Sequence, residues 1–334
     1  MRVVVLGGAG YVGSHSARAL RRRGYDVHIY DNLSSGYAEF AKGFPLTIAD
    51  IRDRQKLMAT LENADAILHF AAHAYVGESV SDPRKYFDNN VEGGLCVLNA
   101  ALDRGVRYIV FSSTCATFGC PQRIPIGDDC EQHPVNPYGV SKLFFEQALA
   151  AYDRAYGIRS VALRYFNAAG ADESGEMGEI HKREARIIPA ALEAIIGERS
   201  EFQIFGDNYP TPDGTCIRDY VHVNDLAEAH VLSLEYLVSG GDTTAFNLGT
   251  GKGSSVREVL TTVRQVTGYD VPIRIVPRRP GDPPALVADP SRVQRVLRWK
   301  AQRDLKNMVS TAWLWMNSKL WKHAHEQSRL AIAS

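Results

Sequence analysis

The 334-residue chain contains five cysteines (Cys96, Cys115, Cys120, Cys130 and Cys216), and none forms a C-x-x-C pair. That argues against a zinc ribbon and a disulfide framework, and points to reduced thiols in a cytoplasmic protein. Charge of one sign is not in excess either, because 38 Lys and Arg balance 38 Asp and Glu. No global field therefore draws the chain to nucleic acid or to an anionic membrane. No apolar run approaches the roughly 18–20 residues of a membrane span, and glycines interrupt the apolar run at 3–6 too early for a signal segment. Internal repeats and low-complexity tracts are missing as well. His323 and His325 lie in a polar tail expected to fray, and His69 and His73 flank a strand end where packing is the simpler role, so no metal is expected.

Hydrophobic residues make up 45% of the sequence, enough for a sizeable core. Short apolar runs at 3–6, 27–30, 45–49, 66–70, 108–112 and 160–165 alternate with helix-length segments. Runs of that length bounded by turns suit strands buried on both faces of a parallel sheet. The alternation predicts an α/β fold, a Rossmann-like doubly wound parallel sheet. Past residue 167 the pattern changes to a loop at 170–184, a helix at 186–196 and a strand at 203–205. Further strands are expected at 220–223, 245–248 and 273–276, with helices at 224–237 and 255–267. The division expected is a nucleotide-binding domain over 1–167, to which later segments return, a smaller C-terminal α/β substrate domain over 168–320, and a frayed tail over 321–334. Trp313, Trp315 and Met316 fall in a C-terminal helix as core or interface residues.

Gly7, Gly10 and Gly13 follow the first strand with G-x-x-G-x-x-G spacing and open a helix. Such a turn lets backbone approach a pyrophosphate, which then rests on the helix N-terminus. Asp31 ends the second strand, where a carboxylate meets an adenosine ribose hydroxyl and disfavours a 2′-phosphate. Turn and acid together predict dinucleotide binding, with NAD preferred over NADP.

Tyr138 and Lys142 lie four residues apart at the start of a helix, on one face. A tyrosine hydroxyl titrates near about 10, and a neighbouring ammonium lowers that by roughly one to three units. Tyr138 is thereby a candidate acid–base group, although an exposed i, i+4 pair is the commoner outcome for these residue types. Thr114 stands at the end of the 108–112 strand, where ligands of such sheets sit, and its hydroxyl can bond a sugar oxygen.

With these residues in place, the chain resembles the extended short-chain dehydrogenase/reductase superfamily, and most closely its nucleotide-sugar 4-epimerases. The likeness runs from residue 1 to about 300 through GGAGYVGSH, YDNLSSG, FAAHAYVGES, FSSTCATFG, NPYGVSK, LRYFNAAGA, FGDNYPTPDGTCIRDYVHVNDLAEAH, FNLGTGKGSSV and RRPGDPPALVAD. The resemblance implies NAD contacts at Gly7, Gly10, Tyr11, Val12, Asp31, Asn32, Asp50, Ile51, Phe70, Ala71, Ala72, Asn89, Ser112, Tyr138, Lys142 and Tyr165. It implies catalytic roles for Thr114, Tyr138 and Lys142, with Thr114 and Tyr138 on the reacting sugar hydroxyl. It places a UDP-sugar on Asn167, Arg186, Phe205, Arg218, Tyr220, Arg279 and Asp282, with Arg218 and Arg279 on the diphosphate and Asp282 on ribose hydroxyls.

The reaction so implied interconverts UDP-glucose and UDP-galactose. Tyr138 removes the C4 hydroxyl proton as hydride passes to tightly held NAD, the 4-keto sugar turns in the pocket, and hydride returns to its other face. A homodimer built from two helices per subunit is implied too.

Several positions depart from the pattern. Ala74 stands where the best-known bacterial members carry lysine, Phe118 replaces a frequent tyrosine, and Arg186 replaces Asn or His. The SSTCAT and DGTC stretches with Arg186 are also similar to plant-type epimerases acting on UDP-xylose and UDP-arabinose. Leu286 occupies a gatekeeper position where bulk excludes N-acetyl sugars, so UDP-N-acetylglucosamine remains an alternative. A UDP-sugar dehydratase is a weaker one, because Cys115 and Ala116 follow Thr114 where 4,6-dehydratases carry an acid pair, leaving Cys120, Cys130 or Glu131 for some other elimination. A non-catalytic NAD sensor is disfavoured by the intact Thr114, Tyr138 and Lys142 set.

Overall fold

Alternation of side chains along the first strand decides the architecture. In β1 (Arg2–Leu6), Val3 and Val5 pack into one hydrophobic core, while Val4 and Leu6 pack into another on the opposite face. The computed structural model describes residues 1–180, 186–279 and 281–333, the side chains of 327–333 excepted, so the last four positions of the expected 170–184 loop lie outside the described residues. From β1 the chain alternates through α1 (Tyr11–Arg22), β2 (Asp26–Asp31), β3 (Leu46–Ile48), α2 (Arg54–Thr60) and β4 (Ala66–His69). Two short helices, α3 (Val76–Ser81) and α4 (Pro83–Tyr86), lead through a π-helical turn (Phe87–Glu92) into α5 (Gly93–Asp103). Then come β5 (Tyr108–Thr114), α6 (Pro137–Tyr156) and β6 (Arg159–Tyr165).

The second half contains β7 (Asn167–Ala169), α7 (Ile187–Ile195), β8 (Phe202–Phe205), β9 (Ile217–Arg218), β10 (Tyr220–His222), α8 (Val223–Val238) and β11 (Thr244–Leu248). It ends with β12 (Ser254–Ser255), α9 (Val256–Thr267), β13 (Ile273–Val276), β14 (Ala285–Leu286), α10 (Ser291–Leu297), α11 (Leu305–Met316) and α12 (Lys319–Ala333).

Seven strands form the main sheet in the order β11-β6-β5-β4-β1-β2-β3, all parallel. This is the doubly wound Rossmann-like α/β fold. The order reverses between β1 and β4, so a crevice opens beyond their carboxyl ends, the place where such sheets bind ligands. Elements beyond residue 167 build onto this sheet as well: β11 pairs with β6, and residues of α8, β11 and α10 share the core that covers the α1 face.

A second core gathers around α7, α9 and α11. Smaller pairings, β8 with β13, β10 with β7, and β9 with β12 and β14, sit beside it. The segment expected to fray is helical in α12, because Trp321 and Ala324, three residues apart on one helical face, are each 7% exposed and join this second core. His325 stacks on Trp321 with ring centres 4.5 Å apart, so it packs instead of standing in solvent. His69 likewise packs, between the rings of Phe111 and Phe145.

Trp315 of α11 is 2% exposed, its ring meets Phe40 at 5.8 Å, and its indole N–H donates to the Glu179 carbonyl at 3.0 Å. Trp315→Ala leaves a large void and removes the indole hydrogen bond to the Glu179 carbonyl. The expected cost is about 3–5 kcal/mol of folding stability, read from urea unfolding; a loss under about 1 kcal/mol would mean that the second core does not unfold together with the sheet.

Candidate active site

The glycine turn is built by close approach. Gly7 has φ +76° and a Cβ there would lie 2.5 Å from the Ala71 amide nitrogen; a Cβ at Gly13 would lie 2.2 Å from the Gly7 carbonyl oxygen. Turn, α1 and the exit of β4 are thereby pressed together at the switch point. At Gly10 an added Cβ would meet only the Gly7 oxygen, at 3.3 Å, so that face of the turn is open backbone. Gly10 is also the N-cap of α1, gives no side-chain cap, and is followed by no acid in the first turn, which leaves the helix end electropositive. A cradle that a methyl group would fill, facing a helix N-terminus, fits a dinucleotide pyrophosphate.

Asp31 ends β2 beside this turn and is 7% exposed. Its carboxylate already accepts from the Ala9 amide (2.9 Å) and the Leu33 amide (2.8 Å), so it braces the turn as well as offering its remaining lone pairs to a ribose. Burial pushes its pKa up, and the two amides pull against that. Asn32 and Asp50 meet next to it at 3.2 Å. Arg52 binds Asp50 through Nε and Nη2, at 2.8 and 2.9 Å, and holds that carboxyl down to about 2. Ile51 is buried against α5, where Gly93 has no room for a side chain.

At β4 the Phe70 and Ala71 amides both donate to the Leu6 carbonyl, carrying Ala72 along the crevice. The π-helical turn brings Asn89 and Asn90 in together. Asn89 donates to Asn90, which accepts from the His73 amide and donates to the His73 carbonyl and the Ser141 hydroxyl. Asn90 thus ties the β4 exit to α6. The sequence reading missed it, since no local pattern distinguishes it from Asn89.

The reactive residues converge at the carboxyl end of β5. Asn136 caps α6 by accepting from the Gly139 amide at 2.9 Å, and Pro137 opens the first turn, which aims Tyr138 and Lys142 at β5. Lys142 is 3% exposed; its Nζ donates to the Ser112 carbonyl at 2.8 Å and lies 5.9 Å from the Tyr138 ring centre. Thr114 is among the neighbours that pull the Tyr138 pKa down, and the Ser112 and Tyr165 hydroxyls bond each other. Thr114, Tyr138, Lys142, Ser112 and Tyr165 therefore form one cluster, with Tyr86 edge-on to Tyr138.

Its electrostatics differ from the sequence expectation. Burial dominates both ionisable members: it lowers Lys142 to about 7, against the pull of Glu146, and raises Tyr138 above its ordinary value. The neighbours that draw Tyr138 down are Thr114 and the Arg186 charge, whereas Tyr165 and Cys115 raise it. Lys142 spends its ammonium on a backbone carbonyl. Burial also pushes the Cys115 thiol up to about 12, so it is no base at neutral pH, and the Glu131 side chain is 81% exposed.

Across the crevice an open cleft is lined by Asn167, Arg186, Phe205, Arg218, Tyr220, Arg279 and Asp282, all seven residues assigned to a substrate from the sequence. Arg218 and Asp282 are ion-paired with each other, so Asp282 orients an arginine in addition to facing the cleft. Arg279 stacks on Phe205 at 3.8 Å and, among the described residues, has no carboxylate partner. Arg186 pairs with buried Glu179 and lies 5.6 Å over the Tyr11 ring, linking cleft and glycine turn. Glu179, Arg199, Gln203 and Cys216 also line the cleft and were missed. The two-residue period of β8, which turns Gln203 and Phe205 to one side, was the available signal for Gln203. Among the departures, Phe118 is 1% exposed under the Arg164 guanidinium, Ala74 is exposed, and Leu286 pairs in register with Arg218.

Residues 3–249 match the NAD dependent epimerase/dehydratase family. The chain is 49% identical over 315 residues to a UDP-glucose 4-epimerase of Rhizobium leguminosarum bv. trifolii, covering 94% of this chain and 96% of that one. It is similar to the crystal structure of UDP-glucose 4-epimerase from Brucella ovis in complex with NAD, with TM-score 0.92, 48% identity, and 93% and 97% of the two chains covered. The UDP-glucose-4-epimerase of Stenotrophomonas maltophila, solved with bound NAD and formylated UDP-arabinopyranose, superimposes with TM-score 0.93 at 40% identity over 97% and 99% of the chains.

The lowered Lys142 gives a pH dependence of defined sign. Between about 7 folded and 10.5 unfolded, the unfolded chain holds the extra proton, so stability of nucleotide-free protein rises with pH across that window. Lys142→Met is expected to remove this part of the slope in urea unfolding from pH 6.5 to 9, on the order of the window where the group titrates. Equal slopes in the two proteins would mean that Lys142 stays charged when folded.

Proposed function

The chain belongs to the NAD dependent epimerase/dehydratase family, and we propose that it is a UDP-glucose 4-epimerase that inverts the sugar at C4 in a single site. The observation that carries this reading is that Arg186, which lines the arginine-rich cleft, lies over the Tyr11 ring of the glycine turn and acts electrostatically on Tyr138 of the Thr114, Tyr138 and Lys142 cluster.

Gly7, Gly10, Tyr11 and Val12 would hold the NAD pyrophosphate, Asp31 and Asn32 the ribose, and Asp50 and Ile51 the adenine side. Phe70, Ala71, Ala72, Asn89, Ser112, Tyr138, Lys142 and Tyr165 would face the nicotinamide half. Bound NAD supplies a reversible hydride acceptor and, when oxidised, a positive charge beside Tyr138. Tyr138 takes the proton of the C4 hydroxyl, with the Thr114 hydroxyl beside it to bond the same sugar oxygen, and returns it after the 4-keto sugar has turned. Lys142, anchored on the Ser112 carbonyl, holds α6 against β5 so that the tyrosine does not drift.

The cleft anchors UDP and leaves the sugar loosely held. Arg279 has no competing carboxylate among the described residues and takes the diphosphate together with Arg218, which Asp282 orients. Phe205 lines the same cleft with Arg279 stacked on its ring. Such an arrangement gives one site access to both faces of the sugar.

Epimerisation of UDP-xylose and UDP-arabinose is the second reading, favoured by the structural neighbour that carries a formylated UDP-arabinopyranose. Dehydration is disfavoured, because Cys115 is held as a neutral thiol and Glu131 is at the surface. The homodimer is proposed on α6, where Val140 and Phe144 are 41% and 38% exposed beside exposed Phe87, Val76 and Val80. A reducing, cytoplasmic setting is supported by five unpaired cysteines.

Purified protein given UDP-glucose without added NAD is expected to form UDP-galactose. UDP-xylose and UDP-N-acetylglucosamine run in parallel rank the sugars, and a product lighter by one water would replace the reading with dehydration. Tyr138→Phe is expected to lower kcat by at least about 10²-fold with NAD retained; full activity would remove Tyr138 from the chemistry. Phe144→Glu is expected to yield monomers in light scattering, and an unchanged wild-type dimer would place the interface elsewhere.

A further inference from the structure

Asp219 stands between Arg218 and Tyr220, both of which line the cleft, yet its own side chain is 0% exposed. Two segments distant in sequence supply the donors to its carboxylate. One oxygen accepts from the Thr250 amide (2.8 Å) and the Thr250 hydroxyl (2.7 Å); the other accepts from the Gly251 and Ala288 amides, each at 3.2 Å. Its main chain is used as well. The Asp219 amide donates to the Leu286 carbonyl at 3.1 Å, and its carbonyl accepts from the Asn167 amide and side chain at 3.1 and 3.3 Å. Gly249 completes the packing, since a Cβ there would lie 2.4 Å from an Asp219 carboxylate oxygen.

A carboxylate without water is costly to bury, and here four hydrogen bonds take the place of its hydration. Burial pushes its pKa up while the bonds from Thr250, Ala288 and Gly251 pull it down. An apolar side chain of similar volume would fill the same space, but it could not hold the loop after β11 and the chain after β14 at fixed distances from β9 and β10. The consequence reaches the cleft directly, because Asn167, Arg218 and Tyr220 all hang from this one residue.

We propose that Asp219 is a positioning residue of the nucleotide-sugar site: it fixes Asn167, Arg218 and Tyr220 relative to one another and to β14, and so sets affinity for the UDP group without touching the reacting atoms. The proposal rests on the reading of the cleft as the UDP site. It separates Asp219 from Tyr138 and Lys142, whose loss acts on the chemical step.

The test is Asp219→Asn, which keeps the shape but turns an NH₂ toward N–H donors in either orientation. Calorimetric Kd for UDP and KM for UDP-glucose are expected to rise together, about 10- to 100-fold, the scale of spoiled hydrogen bonds to a buried charge. At saturation kcat should stay within about threefold, and NAD content per subunit should match wild type. Unchanged UDP affinity, a fall in kcat at constant KM, or a matching loss of NAD would each overturn the proposal. Should Asp219→Asn fail to fold, Thr250→Val removes one donor and leaves the carboxylate; a rise in UDP Kd of roughly threefold or more supports the proposal, and no rise overturns it. Wild-type protein that binds UDP but forms no epimer would defeat the proposed reaction while the UDP titrations still decide the role of Asp219. Wild-type protein that does not bind UDP would defeat both.

Discussion

Everything at this site depends on how closely two pieces of backbone approach each other at the switch point of the sheet. Gly7, at φ +76°, lies so near the Ala71 amide that no side chain fits between them. That contact joins the β1–α1 turn to the exit of β4, the two strands from which the chain winds in opposite directions. The crevice, the exposed end of α1 and the path of Phe70, Ala71 and Ala72 follow from it. Asp31 reinforces the same contact from β2 by accepting from the Ala9 amide. A residue that reads as a ribose ligand is thus also a brace for the turn.

Burial, more than any pair of charges, sets the protonation of the reactive cluster. Lys142 and Tyr138 are both moved toward their neutral forms because each is enclosed by β5, α6 and their aromatic neighbours. A tyrosine held neutral in this way keeps its proton at neutral pH. The same logic runs through the cleft. Arg218 is held by Asp282 and Arg186 by Glu179, so their guanidinium groups are oriented before any anion is present. Arg279 is steadied by the ring of Phe205 and keeps its charge uncompensated among the described residues. Preorganisation of this kind lowers the ordering cost of binding a flexible diphosphate.

The two halves of the molecule share a hydrophobic core around α1 and α8, and buried polar groups fix the arrangement further. Asp219 links Asn167, at the start of β7, to the loop after β11 and to the chain after β14. Within the first half, Asn90 ties the β4 exit to α6 through Ser141. Each is a polar side chain enclosed in structure and fully bonded, and such networks specify one arrangement because partial pairing is costly.

The amino-acid sequence by itself determined the features that depend on near neighbours. The glycine spacing, the apolar runs of the sheet, the N-P start of α6 and the Tyr138–Lys142 spacing are local, since backbone dihedrals and side-chain period are set within a few residues. Long motifs then carried the cleft residues, and all seven line one cavity. Tertiary structure alone decided the rest. Arg218 meets Asp282 across 64 positions of chain, Asp219 collects donors from distant loops, and the expected loose tail docks through Trp321. Protonation belongs to this second group as well: a pKa depends on what encloses the side chain, and the enclosing atoms of Tyr138 and Lys142 come from strands and helices that no local pattern relates to them.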